Sequence, residues 1–398
     1  MCLNTAMRVT SLILLLVALP TIGARVGPGG TVRAICFGDV IDQYGGFNSF
    51  VVIRTDPAID TTLVPSRPGY LGSYDAALRN MRMYMTRNYA TLIQEQDLIL
   101  TSDADRTVFT TQWIDWLVRS VTDGGLGLEW LGSIASSSFE SWEGTTLAEI
   151  APTSPGKEYD VSGSFRVEVE KEDEVLMDAL PWERAPPLAN INTQIPKRGS
   201  EVWARIEHPD RHPLITHWEI GEGVVICFAS KFPNGVVPWA REWGYFPQAM
   251  IYLVYRTAEK ELPRDPLLFQ NLLSGFYEYE QMNSMVVSLF SFIERFGGRV
   301  DSLYERLDEI AADKAGADDV YMEGRFEECL DIMAEIKEEQ YSVMEASFKA
   351  RDTALFWVHV TEWCATTGAL ILGGMLVWAL MIRRKLYRDV EVTRSRTR

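Results

Sequence analysis

The residues of this chain that could do chemistry are few, and most fall between positions 36 and 243. His217-Trp218-Glu219 sets an imidazole two residues from a carboxylate, the pair that general-base catalysis draws on once a nucleophile is supplied. Cys36 and Cys227 lie inside apolar runs, where a thiol behaves as a small hydrophobe and its pKa rises, so both read as core. Ser133, Ser136, Ser137, Ser138 and Ser141 form a Ser-rich stretch without Gly-x-Ser-x-Gly, which reads as a loop. Asp39, Asp42, Asp103 and Asp105 each follow a short apolar run; such a cluster could hold Mg²⁺ or Ca²⁺, and its plainer use is to cap turns and helices. Trp142, Trp239 and Trp243 could offer flat faces to a saccharide beside those carboxylates, with core packing as the cheaper use. His208 and His212 flank Pro209 and Pro213; a metal site with His217 is conceivable, but a loop of surface histidines is commoner, and no metal and no cofactor is expected.

These groups need a scaffold. Arg33 to Phe37, Phe50 to Ile53 and Asp97 to Leu100 are apolar runs with polar ends, and they read as strands. Between the second and third, Tyr74 to Gln94 has helical spacing, as does Thr110 to Val121. Strands alternating with helices predict an α/β sheet with parallel strands, and ligands of such sheets sit beyond the strands' carboxyl ends. Asp39, Asp103, Asp105, Ser133, Trp142 and Trp239 are therefore the crevice candidates. Val161 to Glu174 reads as a strand and an acidic turn, and Pro181 to Pro196 as a Pro-rich excursion where a partner could bind.

Several runs in order carry a resemblance: Asp97 to Asp103, Phe109-Thr110, Asp123 to Leu128, Gly132, Trp142 to Thr145, Leu147 to Pro152, and Gly221 to Ser230 followed by Trp239 and Trp243. From about Val32 to Thr257 the chain resembles the glutamine-amidotransferase-like family related to ThuA-like proteins. The resemblance implies a flavodoxin-like class I glutamine amidotransferase fold, and no activity by itself. Class I chemistry needs a Cys on a strained elbow flanked by small residues and a His positioned by a carboxylate. No Gly-x-Cys-x-Gly exists here; His217 and Glu219 have the dyad's spacing but precede the Gly221-Glu222-Gly223 strand.

After Pro263 and Pro266 the pattern changes. Met282, Met285, Leu289, Phe292, Phe296, Val300, Leu303, Leu307 and Ile310 recur every three or four residues, which predicts a heptad seam with a stutter at Gly297-Gly298. Ala315 to Asp319 reads as a turn, and Phe326, Leu330, Met333, Ile336, Met344 and Phe348 as the stripe of a second, acidic helix, giving an antiparallel hairpin. Trp363 to Ile382 carries no charge over 20 residues, enough at about 1.5 Å per residue to cross about 30 Å of hydrocarbon. The following tail, Arg383 to Arg398, holds seven basic and two acidic residues, which by the positive-inside rule makes it cytoplasmic. Residues 1–24, with Arg8 before the apolar Val9 to Leu19 and a small residue at Ala24, read as a secretory signal. The stretch from Tyr321 to Arg388 resembles the C-terminal part of archaeal membrane proteins with the same head, implying an archaeal cell envelope.

The expected organisation is thus a signal at 1–24, an α/β domain at 25–262, a coiled-coil-like helical hairpin at 263–352, a transmembrane helix within 353–382 and a basic cytoplasmic tail at 383–398. Acidic residues outnumber basic ones by 55 to 38 for a net charge of -17, which excludes nucleic acid as a partner. Hydrophobic residues at 47% exclude a disordered chain. The expected function is a single-pass type I protein of the cell membrane whose outer domain is a non-catalytic interaction or ligand-binding module. Its hairpin would meet an envelope or membrane protein, or another copy of itself. Two alternatives stand: an exported hydrolase or amidotransferase using His217 and Glu219, and a glycan- or solute-binding receptor.

Overall fold

The computed structural model describes Val26 and residues 30–38, 49–132, 139–231 and 237–395; the expected signal at 1–24 lies outside them. The chain forms two compact units, residues 1–277 with 317–331 and residues 278–316 with 332–398.

The first unit is mixed α/β, built on a ten-stranded sheet. Its centre is five parallel strands, in the order β2 (Ile59–Pro65), β1 (Val32–Gly38), β3 (Leu98–Ser102), β4 (Gly127–Gly132) and β10 (Gly223–Lys231). Beyond β10 the sheet turns antiparallel through β9 (Pro213–Ile220), β8 (Glu201–Ile206) and β6 (Val167–Val169). β5 (Thr153–Phe165) pairs with β7 (Leu188–Pro196), which touches β10 at Ser230. β1, β3 and β4 are buried on both faces, which is why they read as continuous apolar runs. One face packs Ile35, Phe37, Ile99, Leu128, Trp130 and Val225 against helical Met81, Leu92, Ile114 and Leu117. The Phe246–Thr257 helix packs against β4 and β10 and is buried almost throughout.

Local chemistry explains where the sequence reading departs from this fold. Phe50-Val51-Val52-Ile53, expected as a strand, belongs to the short helix Ser49–Ile53, and β2 takes the place beside β1. A short buried apolar run does not distinguish strand from helix by period. This one docks Phe50, Val52 and Ile53 in the interior and ends where Thr55 Oγ1 donates to Val52 O (2.7 Å). The helix expected over 74–94 is two helices, Tyr74–Tyr84 and Tyr89–Glu95, because Met85 turns extended and the Asn88 side chain accepts from Thr91 N–H (2.8 Å), capping a new start.

The long helices also divide differently. Pro266–Arg295 and Asp301–Met322 are separate, broken at Gly297, whose φ of +76° suits only a residue without Cβ penalty. Residues 315–319, expected as a turn, lie inside the second helix; the turn comes at Gly324, also at φ +76°, and Phe326–Ser395 follows as one helix of 70 residues. In the second unit the buried stripe is Tyr279, Val286, Phe290 and Ile293, while Met285, Phe292 and Phe296 of the expected seam are exposed. From Val300 through Leu303, Leu307 and Ile310 the expected seam is buried. On the last helix Met333, Ile336, Gln340, Val343 and Ser347 form a buried stripe that includes two polar residues, with Cys329 before it and Ala354 after it also buried. Gln340 Nε2 donates to Tyr279 O (3.3 Å) and Arg306 Nη2 to Ser342 Oγ (3.0 Å).

The Trp363–Ile382 stretch lies within this last helix, and its large apolar side chains, among them Trp363, Leu370, Leu372, Met375 and Trp378, are exposed. It is long and apolar enough to cross a membrane.

Within the first unit a buried carboxylate ties three elements together. Asp56 accepts from Tyr255 Oη (2.7 Å), Tyr321 Oη (2.9 Å) and the Ala58 N–H (2.8 Å). Burial pushes the Asp56 carboxyl up, and the three donors pull it back. Tyr321 Oη and the Ala58 N–H share Oδ1, whereas Tyr255 Oη is the donor to Oδ2; removing it leaves that buried oxygen unsatisfied, so Tyr255→Phe is expected to lower stability by about 1–3 kcal/mol in urea unfolding. Tyr341→Phe, on an exposed ring, should stay within about 0.5 kcal/mol.

Candidate functional site

The carboxyl ends of the parallel strands converge where the sequence places its crevice. Gly38, at φ +132°, ends β1 so close to β3 that a Cβ there would sit 1.6 Å from Ser102 O. Ser102 leads into Asp103, whose φ of +63° turns the chain sharply. The Asp103 carboxylate is buried and ion-paired with Arg67, which follows β2. Asp105 caps the next turn, its Oδ1 accepting from Thr107 N–H (2.9 Å) and Thr107 Oγ1 (2.7 Å). These two acids thus serve an ion pair and a cap. Asp39, Asp42 and Ser133 lie outside the described residues.

The tryptophans are interior. Trp142 is 1% exposed, edge-on to Phe109 (5.1 Å) and Trp130 (5.6 Å). Trp239 is fully buried, donates Nε1 to Pro186 O (2.5 Å) and packs with Trp182, Phe228 and Trp243. Neither ring has a face open to a sugar; of the two uses open to them, both serve core packing.

His217 and Glu219 are placed apart from that crevice. His217 is on β9, two strands beyond β4, buried, and stacked on Trp203 at 4.6 Å. Neither ring nitrogen has a hydrogen-bond partner, and burial, aided by Arg256, pushes its pKa down. The nearest carboxylate is that of its cross-strand partner Glu201, 3.6 Å from Nδ1, while Glu219 is exposed. Glu201 is engaged by Lys171 Nζ (2.5 Å), which with Trp203 Nε1 (3.3 Å) holds its carboxyl low. On the Trp203 ring the Arg256 guanidinium sits at 5.3 Å, itself bonded to Glu174 (2.7 Å). The Trp203 ring thus meets both the Arg256 guanidinium and the buried His217 imidazole. No motif marks Glu201, Trp203 and Arg256; the register of β8 on β9 brings the first two to His217, and Arg256 comes from the Phe246–Thr257 helix.

The thiols are equally enclosed. Cys36 and Cys227 are fully buried and burial pushes both well above the ordinary thiol range, so neither is a thiolate nucleophile. Reasoning from motifs missed two other features. Glu129, in the middle of β4, is fully buried with neither carboxyl oxygen hydrogen-bonded, and desolvation pushes its pKa up to about 8. Its signal in the sequence is a single acid in Gly127-Leu128-Glu129-Trp130-Leu131-Gly132. The second feature is a pair of clefts, of about 410 and 680 Å³, that share the segment 260–264 as a wall. The smaller is lined by Tyr255, Tyr321 and Phe326, the larger by Glu174 and Arg256. Lys260 forms part of both; it donates to Gly30 O (2.7 Å), lies over the Tyr255 ring (5.3 Å), and burial lowers its pKa.

No protein-family model matches the chain, and no curated protein matches it. Among solved structures it is similar to a cytoplasmic protein of Salmonella typhimurium LT2, at 18% identity and TM-score 0.46 over 57% of this chain and 99% of that one. A second cytoplasmic protein of Salmonella typhimurium matches at 15% identity and TM-score 0.44, over 56% and 96%. An exo-β-1,4-mannosidase of Opitutaceae bacterium strain TAV5 matches at 8% identity and TM-score 0.33, over 57% of this chain and 36% of that one.

Glu129 makes stability depend on pH in a direction its burial decides. Folded, it keeps its proton to about pH 8; unfolded, it ionises near 4.5, so between those values the unfolded chain binds fewer protons and stability falls as pH rises. The slope from this group is about 1.4 kcal/mol per pH unit, levelling above pH 8. Glu129→Gln removes the ionisation. Relative to wild type it should gain stability steadily from pH 5 to pH 8 in urea unfolding; parallel pH profiles would contradict the buried neutral acid.

Proposed function

We propose that this chain is a single-pass membrane protein whose α/β unit is held outside the cell as a non-catalytic module that binds a ligand or partner. The observation that carries this reading is the wholly exposed apolar stretch of the last helix, a surface that water does not tolerate at this length. The basic residues that follow it support a cytoplasmic tail, and the apolar run at 9–19 supports export of what comes after.

The parallel strands support a flavodoxin-like reading of the α/β unit, since β2-β1-β3-β4-β10 has the order of such sheets. With the resemblance to glutamine-amidotransferase-like domains, this favours that fold put to another use. Binding rather than catalysis is favoured by the enclosed state of the groups that would react: two buried thiols raised in pKa, and an imidazole stacked on Trp203 away from the strand ends. The clefts along 260–264 offer room for a ligand. Exposed Met285, Val287, Phe292 and Phe296 in the second unit support a protein partner, or a second copy, along the helices.

The anchor is tested by washing membranes of expressing cells with alkaline carbonate. The full chain should stay in the pellet, and a chain ending at residue 362 should be released; release of the full chain would end the reading. Protease added outside intact cells should digest the α/β unit and spare the segment from Trp363 onward.

A further inference from the structure

The antiparallel wing of the sheet carries a cluster that neither the binding module nor the anchor uses. β8 and β9 are joined by a short loop holding His208, Asp210 and His212. Arg211 N–H donates to His208 O (2.8 Å) and Ile206 N–H to His212 O (3.1 Å), so the loop folds back tightly on itself. Arg211 takes a φ of +45°, and its carbonyl is held by Arg205 Nη1 (2.8 Å). The alternate positions 208, 210 and 212 are thereby turned to one side. Asp210 Oδ2 lies 3.7 Å from His208 Nδ1 and 4.0 Å from His212 Nε2, and one ligand atom from each of the three falls within 4.8 Å of the others.

We propose that this loop binds one divalent transition-metal ion, of the zinc, cobalt or nickel class, through His208 Nδ1, Asp210 Oδ2 and His212 Nε2, with His208 Nδ1 exchanging the Asp210 N–H it accepts here (3.3 Å) for the metal. Bonds of about 2.0–2.2 Å place neighbouring ligands about 3.3 Å apart around such an ion, so atoms within 4.8 Å of one another need close by about 1.5 Å at most. Asp210 is 71% exposed and can swing to do so, while His208 and His212, at 28% and 20%, are held more firmly, His208 by the edge of Phe165 at 5.8 Å. The local field is favourable. The nearby Arg211 guanidinium is paired with Glu168 (2.9 Å) and Glu170 (3.1 Å), while the Asp210 carboxylate lies within 4.0 Å of a nitrogen of each ring. Two imidazoles and one carboxylate select borderline ions over Mg²⁺ and Ca²⁺, which want oxygen ligands throughout. Three protein ligands leave a coordination position for water or for a donor from a partner.

The chain has four histidines, so the assignment can be made cleanly. The full-length protein, purified in detergent micelles without a histidine tag, is titrated with Zn²⁺ by calorimetry and with Co²⁺ by visible absorption. One ion should bind per chain. Changes to groups outside the coordination shell alone can move metal affinity by about 10–100-fold, so loss of a ligand should cost at least about tenfold. That loss is expected for His208→Ala/His212→Ala and for Asp210→Asn, the latter preserving shape. His359→Ala, on the last helix beside Glu362, should bind as the wild type does. Equal concentrations of Ca²⁺ or Mg²⁺ should not displace the ion. Failure of the wild type to take up zinc or cobalt, unchanged affinity in the loop variants, loss of binding in His359→Ala, or displacement by Ca²⁺ would each overturn the proposal.

Discussion

The Asp56 carboxylate is the constraint on which the first unit turns. It lies just before β2, and the two hydroxyls it accepts come from residues 199 and 265 positions later in the chain. No single element could satisfy it. Buried and charged, Asp56 would be costly; ringed by two phenols and a backbone amide, it becomes a junction that exists only when β2, the Phe246–Thr257 helix and the end of the Asp301–Met322 helix are all in place. Phe269, Phe276 and Phe326 pack around the Tyr321 ring. Residues 317–331 thus belong to the α/β unit, although they are read in sequence as part of a helical segment.

Much of the architecture was legible because burial on both faces leaves a strong mark. β1, β3 and β10 are apolar runs punctuated by polar residues, and the helix after Thr110 has a capping residue and an apolar stripe. β2 was not legible: Ile59-Asp60-Thr61-Thr62-Leu63-Val64-Pro65 is polar on one side, while the more strongly apolar run before it is helical. The helical seams were misread for a related reason. Gln340 and Ser347 occupy buried positions, so a search for apolar residues slides onto half-buried Met344 and exposed Phe348. Backbone carbonyls hold the two polar groups, Tyr279 O for Gln340 and Val343 O for Ser347, and no hydropathy pattern records such partners.

The chemistry-bearing residues show a sharper version of the same limit. Residue type and spacing picked out His217 and Glu219, Asp103 and Asp105, Trp142 and Trp239, yet their roles depend on what lies across the sheet. His217 meets Trp203 and Glu201 through strand register, and Asp103 meets Arg67 from the end of a different strand. By contrast the His208, Asp210 and His212 cluster is local, five residues in a tight loop, and only the backbone path was needed to turn loop histidines into a set of converging donors.

The last helix runs without a break from the amphipathic stretch that begins at residue 332 through the apolar stretch that ends at Ile382. An unbroken helix has a fixed phase: each residue advances the surface by about 100°. The side of the apolar stretch on which Cys364, Gly368 or Trp378 falls is therefore set by the same rotation that turns Met333, Ile336 and Val343 inward. Insertion of one residue between 348 and 362 would leave both stretches intact in composition and rotate one against the other by about 100°, whereas seven would nearly restore the match. The angular setting of the apolar stretch is in this sense inherited from the packed stripe, and evolution can retune it by length alone.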